Sequence, residues 1–97
     1  MEKFKLGQIV ATEGVSDRMQ HDLAFAAFVS QSIRRYKTCD WGDSPKEDKV
    51  FNDLAVANGD ERIVAVYEQV GVKEPMKILI ITEWDRSTTT IMFPEEH

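Results

Sequence analysis

A two-layer α+β domain is the fold this chain predicts, with an antiparallel meander sheet of three consecutive strands, the first strand joined at one edge, and two helices covering one face. Three observations lead there. Two stretches of helical apolar spacing fill the first sixty residues, three β-branched runs fill the last thirty-five, and no linker, repeat or low-complexity stretch divides them. The expected element order is β-α-α-β-β-β within a single domain spanning residues 1–97.

The first strand is read over Leu6-Gly7-Gln8-Ile9-Val10-Ala11-Thr12, where Ile9 and Val10 are β-branched and Gly14 closes the run. Ser16 or Asp17 is placed to cap the helix that follows, because either side-chain oxygen can accept from a free backbone N–H. That helix is expected to continue unbroken to about Tyr36. Met19, Leu23, Ala26, Ala27 and Ser30 line one side, while Phe25, Phe28, Val29, Ile33 and Tyr36 widen the apolar face. A face this broad suggests a sheet contact and a further one, such as a second subunit.

The second helix carries a start signal in Ser44-Pro45-Lys46-Glu47. A serine cap, a proline at the first helical position and a glutamate three residues after the serine form a capping box. Val50, Phe51, Leu54 and Ala57 follow at helical spacing, and Asn58-Gly59 ends the helix. Arg62–Glu68 then reads as the second strand, Lys77–Thr82 as a central strand, and Ser87–Phe93 as the fourth. Gly71 and Pro75 break the chain before the central strand, and Pro94-Glu95-Glu96-His97 makes a short acidic tail.

Composition narrows the function. A 42% hydrophobic and 30% charged chain is too apolar for disorder, yet no run approaches the roughly 20 apolar residues of a membrane span. The charged opening, Met1-Glu2-Lys3-Phe4-Lys5-Leu6, lacks the apolar centre of an export signal. Cys39 is the single cysteine and forms no internal disulfide, which places the expected location in a reducing cytoplasm. The formal charge is −5, and the segment from Asp40 to Glu61 accounts for all of it with seven acids against two bases. Asp17 to Lys37 carries +2 in contrast, so the molecule is polarised. Net acidity argues against direct nucleic-acid binding, which depends on phosphate neutralisation.

Several blocks taken together carry a resemblance. They are Gly7-Gln8-Ile9-Val10-Ala11-Thr12, then Cys39-Asp40-Trp41-Gly42-Asp43 before an acidic helix, then Ile80-Ile81-Thr82-Glu83-Trp84-Asp85-Arg86-Ser87-Thr88-Thr89-Thr90, and finally Phe93-Pro94-Glu95-Glu96. The chain resembles, over nearly its whole length, a family of small uncharacterised bacterial proteins found on plasmids, phages and other mobile elements. The resemblance implies an accessory protein of mobile DNA and carries no established activity with it. Relatives show a smaller residue at the position of Trp84 and often a tyrosine at that of His97, so any role of those two is particular to this chain.

Two constellations stand out. Glu83, Asp85 and Arg86 crowd the turn between the last two strands, where two carboxylates and a guanidinium could polarise a substrate or hold a divalent ion. The favoured reading is that they build the turn, with Asp85 accepting from backbone N–H groups two residues on. Asp40-Trp41-Gly42-Asp43 sets an aromatic among acids just before a helix, able to stack on a ligand or to plug the core. If Trp41, Asn52 and the Glu83–Arg86 turn met, they would line one acidic cleft. His21, Cys39 and His97 have no metal-ligand spacing, no nucleophile motif surrounds the serines, and no phosphate loop or cofactor motif is present.

The leading expectation is therefore a protein-binding or inhibitory module rather than an enzyme. Its acidic surface, with Trp41, Asp43, Glu47, Asp48, Asn52 and Asp53, would meet a partner with a basic surface. The alternative is a small enzyme or ligand-binding domain around Trp41, Asn52, Glu83, Asp85 and Arg86. A homo-oligomer through the broad first helix or an exposed edge strand is a third.

Overall fold

The computed structural model describes residues 3–97. In chain order the elements are β1 (Gln8–Ala11), α1 (Glu13–His21), α2 (Leu23–Lys37), α3 (Lys46–Asn58), β2 (Ile63–Glu68), β3 (Lys77–Thr82), β4 (Thr88–Met92) and a closing 3-10 turn, Pro94–Glu96. The domain is α+β, as its periodicities require.

The expected first helix is two. Thr12, the residue after β1, caps α1 by accepting from the Val15 N–H (3.3 Å), so the helix begins before Ser16 and Asp17 and takes both into its interior. Asp22 then leaves helical geometry (φ −144°, ψ 100°). Its carboxylate accepts from the Phe25 N–H (3.0 Å) to cap α2 and pairs with Arg18 of α1 (3.1 Å). One aspartate thus ends a helix, starts another and braces the corner. On α2 the inward side is Phe25, Val29, Ser32 and Tyr36, whereas Leu23 points to solvent.

The capping box at α3 does not form. Pro45 occupies the cap position and contributes no side-chain bond. Ser44 is buried instead, its hydroxyl donating to the Trp41 carbonyl (2.7 Å) and accepting from the Val66 N–H (2.9 Å). A strand N–H facing out of the sheet has no other partner, and satisfying it outweighs a solvent-facing helix cap. The predicted end is observed: Gly59 is left-handed (φ +78°) and its N–H returns to the Ala55 carbonyl (2.8 Å).

The sheet has the order β1-β4-β3-β2. β2, β3 and β4 are antiparallel to one another, but β1 runs parallel to β4, pairing Gln8 with Thr88 and Ala11 with Ile91. The sheet is therefore mixed and not the expected antiparallel meander. Strand direction depends on how the three intervening helices return the chain, and no local pattern encodes it. Gly7 permits the entry to β1: at φ +65° it lies against the Ser87 carbonyl, where a Cβ would overlap the oxygen.

Alternation along the strands sends Ile63, Ala65 and Tyr67 of β2, Ile78 and Ile80 of β3, and Ile91 of β4 into one core with Phe25, Val29, Tyr36, Trp41 and Ala55. β3 is buried on its second face too, through Leu79 and Ile81. A chain of hydroxyls crosses the core. Thr89 donates to the Leu6 carbonyl (2.7 Å), which consumes its one proton. Thr82 must then donate to Thr89 (2.7 Å) and Tyr36 to Thr82 (2.6 Å), since each hydroxyl has a single proton. This fixed proton order ties α2, β3, β4 and the N-terminal segment together. Among the described residues, no buried side-chain nitrogen or oxygen lacks a partner.

Candidate functional site

The loop Asp40–Ser44 and helix α3 form one unit along the outer edge of β2. Gly42 bridges to Val66 in parallel, and the Asp43 N–H donates to the Val66 carbonyl (2.8 Å). The Asp43 carboxylate accepts from the Glu68 N–H (2.8 Å), beside the Ser44 bond to Val66. Asn52, although on a helix, presents its amide like a strand: Nδ2 donates to the Val64 carbonyl (2.9 Å) and Oδ1 accepts from the Val64 N–H (3.4 Å). The outward N–H groups of Val64, Val66 and Glu68 and the outward carbonyls of Val64 and Val66 are closed by this unit. Gly42 (φ +64°) allows the close approach, because a side chain there would strike the Tyr67 ring.

Trp41 is 3% exposed. Its ring packs on Tyr36 (5.4 Å between centroids) and Phe4 (5.9 Å), and its indole N–H donates to Asp53 (2.9 Å). Asp40 is held by Arg35 (2.8 and 3.2 Å), which keeps its carboxyl below the usual aspartate range and lifts the guanidinium correspondingly. Of the seven acids between Asp40 and Glu61, three are thus engaged within the fold. Glu47 and Asp48 face solvent in the first turn of α3, where the helix dipole favours them, and Asp60 and Glu61 are exposed beyond its end.

The Glu83–Arg86 turn is likewise committed to the backbone. Arg86 adopts φ +61° and directs its guanidinium at four carbonyls: Glu61 (2.6 Å), Ala55 (2.9 Å), Glu83 (3.2 Å) and Trp84 (3.3 Å). It stitches the last turn of α3 to the β3–β4 connection. Asp85 accepts from the Ser87 N–H (3.0 Å), and the hydrogen bonds from Ser87 hold its carboxyl below the ordinary value. Glu83 forms an exposed pair with Arg62 at 3.9 Å, a contact worth about 0–1 kcal/mol. Trp41 and the turn each bond to α3, at Asp53 and at the Ala55 carbonyl, and neither lines any of the three main surface grooves.

A groove of about 460 Å³ lies between α2 and the end of β2, lined in part by Ala27, Phe28, Arg35, Asp43, Glu68 and Gln69. A neighbouring one of about 290 Å³ includes Arg18, Asp22, Val72 and Lys73. A third, about 320 Å³, runs between α3 and β2 along Asp48, Phe51, Asn52, Arg62 and Val64. Their polar walls are largely occupied: Arg35 by Asp40, Asp22 by Arg18, Asn52 by Val64. Among the described residues, no group of three or more His, Cys, Asp or Glu side chains is placed to hold a metal, and no helix is long and apolar enough to cross a membrane.

The feature the residue pattern did not reveal is the direction of the α3 stripe. With Asn52 and Ala55 turned to β2, Val50, Phe51 and Leu54 face outward, 54%, 65% and 51% exposed. The helical spacing of these residues was legible, but it identifies a face without saying what covers it. Asn52, a polar residue three positions before buried Ala55, is the signal that the opposite side packs inward. Comparison of the chain with protein-family models, with curated proteins and with solved structures finds no match.

Proposed function

We propose that this chain is a protein-binding module whose docking face is α3. The observation that carries the reading is the outward stripe Val50-Phe51-Leu54, three large apolar side chains at least half exposed on a well-anchored helix. Glu47 and Asp48 flank it at one end, with Asp60 and Glu61 beyond the other. An apolar centre with a charged rim is the usual anatomy of a protein interface, and scattered single apolar residues are not. The acidic rim selects a partner with a basic surface and speeds the encounter through complementary fields.

In its concrete form the face occupies a basic groove on a host or defence protein and competes there with nucleic acid. The resemblance to proteins of mobile elements supports that form. What favours binding over catalysis is the employment of the alternative's residues. Trp41, Asn52, Asp85 and Arg86 spend their polar atoms on Asp53 and on backbone groups.

The test is capture of partners from a bacterial lysate by the tagged chain at low and high salt, compared with two variants. Phe51→Ser is expected to abolish recovery of a stoichiometric partner. Glu47→Gln with Asp48→Asn is expected to reduce recovery about tenfold at low salt and to flatten its salt dependence. Unchanged capture by both, with thermal unfolding like that of the parent, would sink the reading.

A further inference from the structure

The two edges of the sheet are treated in opposite ways. The outer edge of β2 is closed by Asp43, Ser44 and Asn52. At the other end, Gln8 and Thr12 donate to the Ser87 and Ile91 carbonyls, so Val10 faces β4 as well, and Ile9 and Ala11 turn their N–H and C=O groups outward. Among the described residues, nothing bonds to those outward groups. All four residues of β1 are exposed, with Ile9 at 41% and Val10 at 37%. The strand is short, at four residues, but has no proline and no charge between Leu6 and Glu13 to guard its edge.

We infer that a second copy of this chain pairs with β1, antiparallel about a twofold axis, to make one continuous eight-stranded sheet. Two features support this pairing, one favouring a copy of the chain over a foreign strand and one favouring β1 over the other surfaces through which copies could meet. The first is the charge pattern around the edge. Lys5 and Glu13, both exposed, lie four residues before and four after Ile9. Lys5 precedes the left-handed Gly7 and Glu13 opens α1, so neither is in the ladder itself. With Ile9 opposite its own counterpart, each end of the pairing sets the segment that carries Lys5 in one copy against the helix start that carries Glu13 in the other. A pattern antisymmetric about its centre is complementary to itself under a twofold rotation.

The second feature is where the acid sits. The sheet order places β1 and β2 at opposite ends, and the −5 segment packs on β2. Joining two copies through β1 puts the two β2 strands seven strand spacings apart, about 34 Å. That is about four Debye lengths at physiological ionic strength, so the acidic segments scarcely repel. Pairing through any surface near α3 would instead bring like charge together. It also leaves both α3 faces free at the far ends of the dimer. The four-residue edge is short, so the dimer is a concentration-dependent one, well below the size of an obligate interface.

The experiment is sedimentation velocity across a dilution series from high micromolar to submicromolar, on the parent chain and three variants. The parent mass is expected to double at the upper concentrations. Ile9→Pro removes only an outward N–H and keeps the β4 ladder, since proline is tolerated on an edge; it should remain monomeric with a native circular-dichroism spectrum. Lys5→Glu should shift dimerisation to at least tenfold higher concentration, and Lys5→Glu with Glu13→Lys should restore it even if Ile9→Pro fails to fold. A parent that stays monomeric throughout overturns the inference and leaves the edge to a foreign strand or to solvent. So does a dimer lost on Phe51→Ser but indifferent to the Lys5 and Glu13 exchange, which would assign self-association to α3.

Discussion

Arg86 concentrates more of the structure than any other single side chain. A left-handed non-glycine residue stores strain, here at φ +61°, and it persists only where the surroundings over-determine it. Four carbonyl acceptors supply that determination. Arg86→Ala is expected to cost about 2–3 kcal/mol, the scale of hydrogen bonds to a half-buried charge, read as a lower midpoint in urea. Arg86→Lys should recover little, because a point ammonium cannot serve four acceptors arranged around a planar fork.

The same scale sets the response to pH. Asp22, Asp40 and Asp85 have carboxyls held low, by the Phe25 N–H, by Arg35 and by Ser87 respectively. A depressed folded-state pKa stabilises the fold above the unfolded value, near 3.9, and that contribution disappears as pH falls through the folded values. Tyr36 and Tyr67 are pushed upward by burial. Their contribution is complete below the unfolded value near 10 and is lost as pH rises beyond it. Thermal midpoints should thus hold across neutral pH and fall below about pH 4 and above about pH 10. Asp40→Asn should lower the neutral plateau and shrink the acid-side fall. Tyrosinate absorbance should appear together with the loss of near-ultraviolet dichroism, not before it.

At the scale of the element, α3 and the loop before it act as a substitute strand. Ser44 and Asn52 reproduce with side chains what a fifth strand would provide with backbone, and they end the sheet where further pairing would otherwise begin. Ser44→Ala leaves the Val66 N–H buried without an acceptor, and a cost of about 1–3 kcal/mol is expected in chemical denaturation. Asn52→Leu should do the same at Val64 and, by reopening the edge, increase light scattering on warming. Phe51→Ser, on the outward side of the same helix, should leave stability within about 0.5 kcal/mol, as surface changes generally do. The contrast between the two faces of one helix separates anchoring from docking.

For the whole molecule, the order β1-β4-β3-β2 sets the acidic face at one end of the sheet and the open edge at the other, so the two proposed functions lie apart by its width. The proposed self-pairing and partner capture are then expected to be independent. Neutralising Glu47 and Asp48 should leave the dimerisation profile unchanged while it weakens partner recovery, a combination visible by sedimentation and capture on the same preparation.

Much of this architecture was legible from residue order. The runs Ile63–Glu68 and Thr88–Met92 announce strands by their β-branched residues, and Lys77–Thr82 does so as a near-continuous apolar run fit for the centre of a sheet. α3 announces itself because its apolar residues recur at helical spacing and Gly59 permits the left-handed stop. Even the corner at Asp22 was encoded locally, since its two partners, Arg18 and Phe25, lie within four residues, but a continuous apolar period on either side masked it. The residues themselves therefore determined the α+β class, the strands of the C-terminal half and the concentration of charge, all of which rest on short-range propensity and periodicity. Only the tertiary structure decided that β1 joins in parallel, that Trp41 and Arg86 serve the fold, and that Val50, Phe51 and Leu54 look outward. Each of those depends on which groups meet across a dozen or more residues, where backbone donors and acceptors must be satisfied together and no local pattern states who the partner will be.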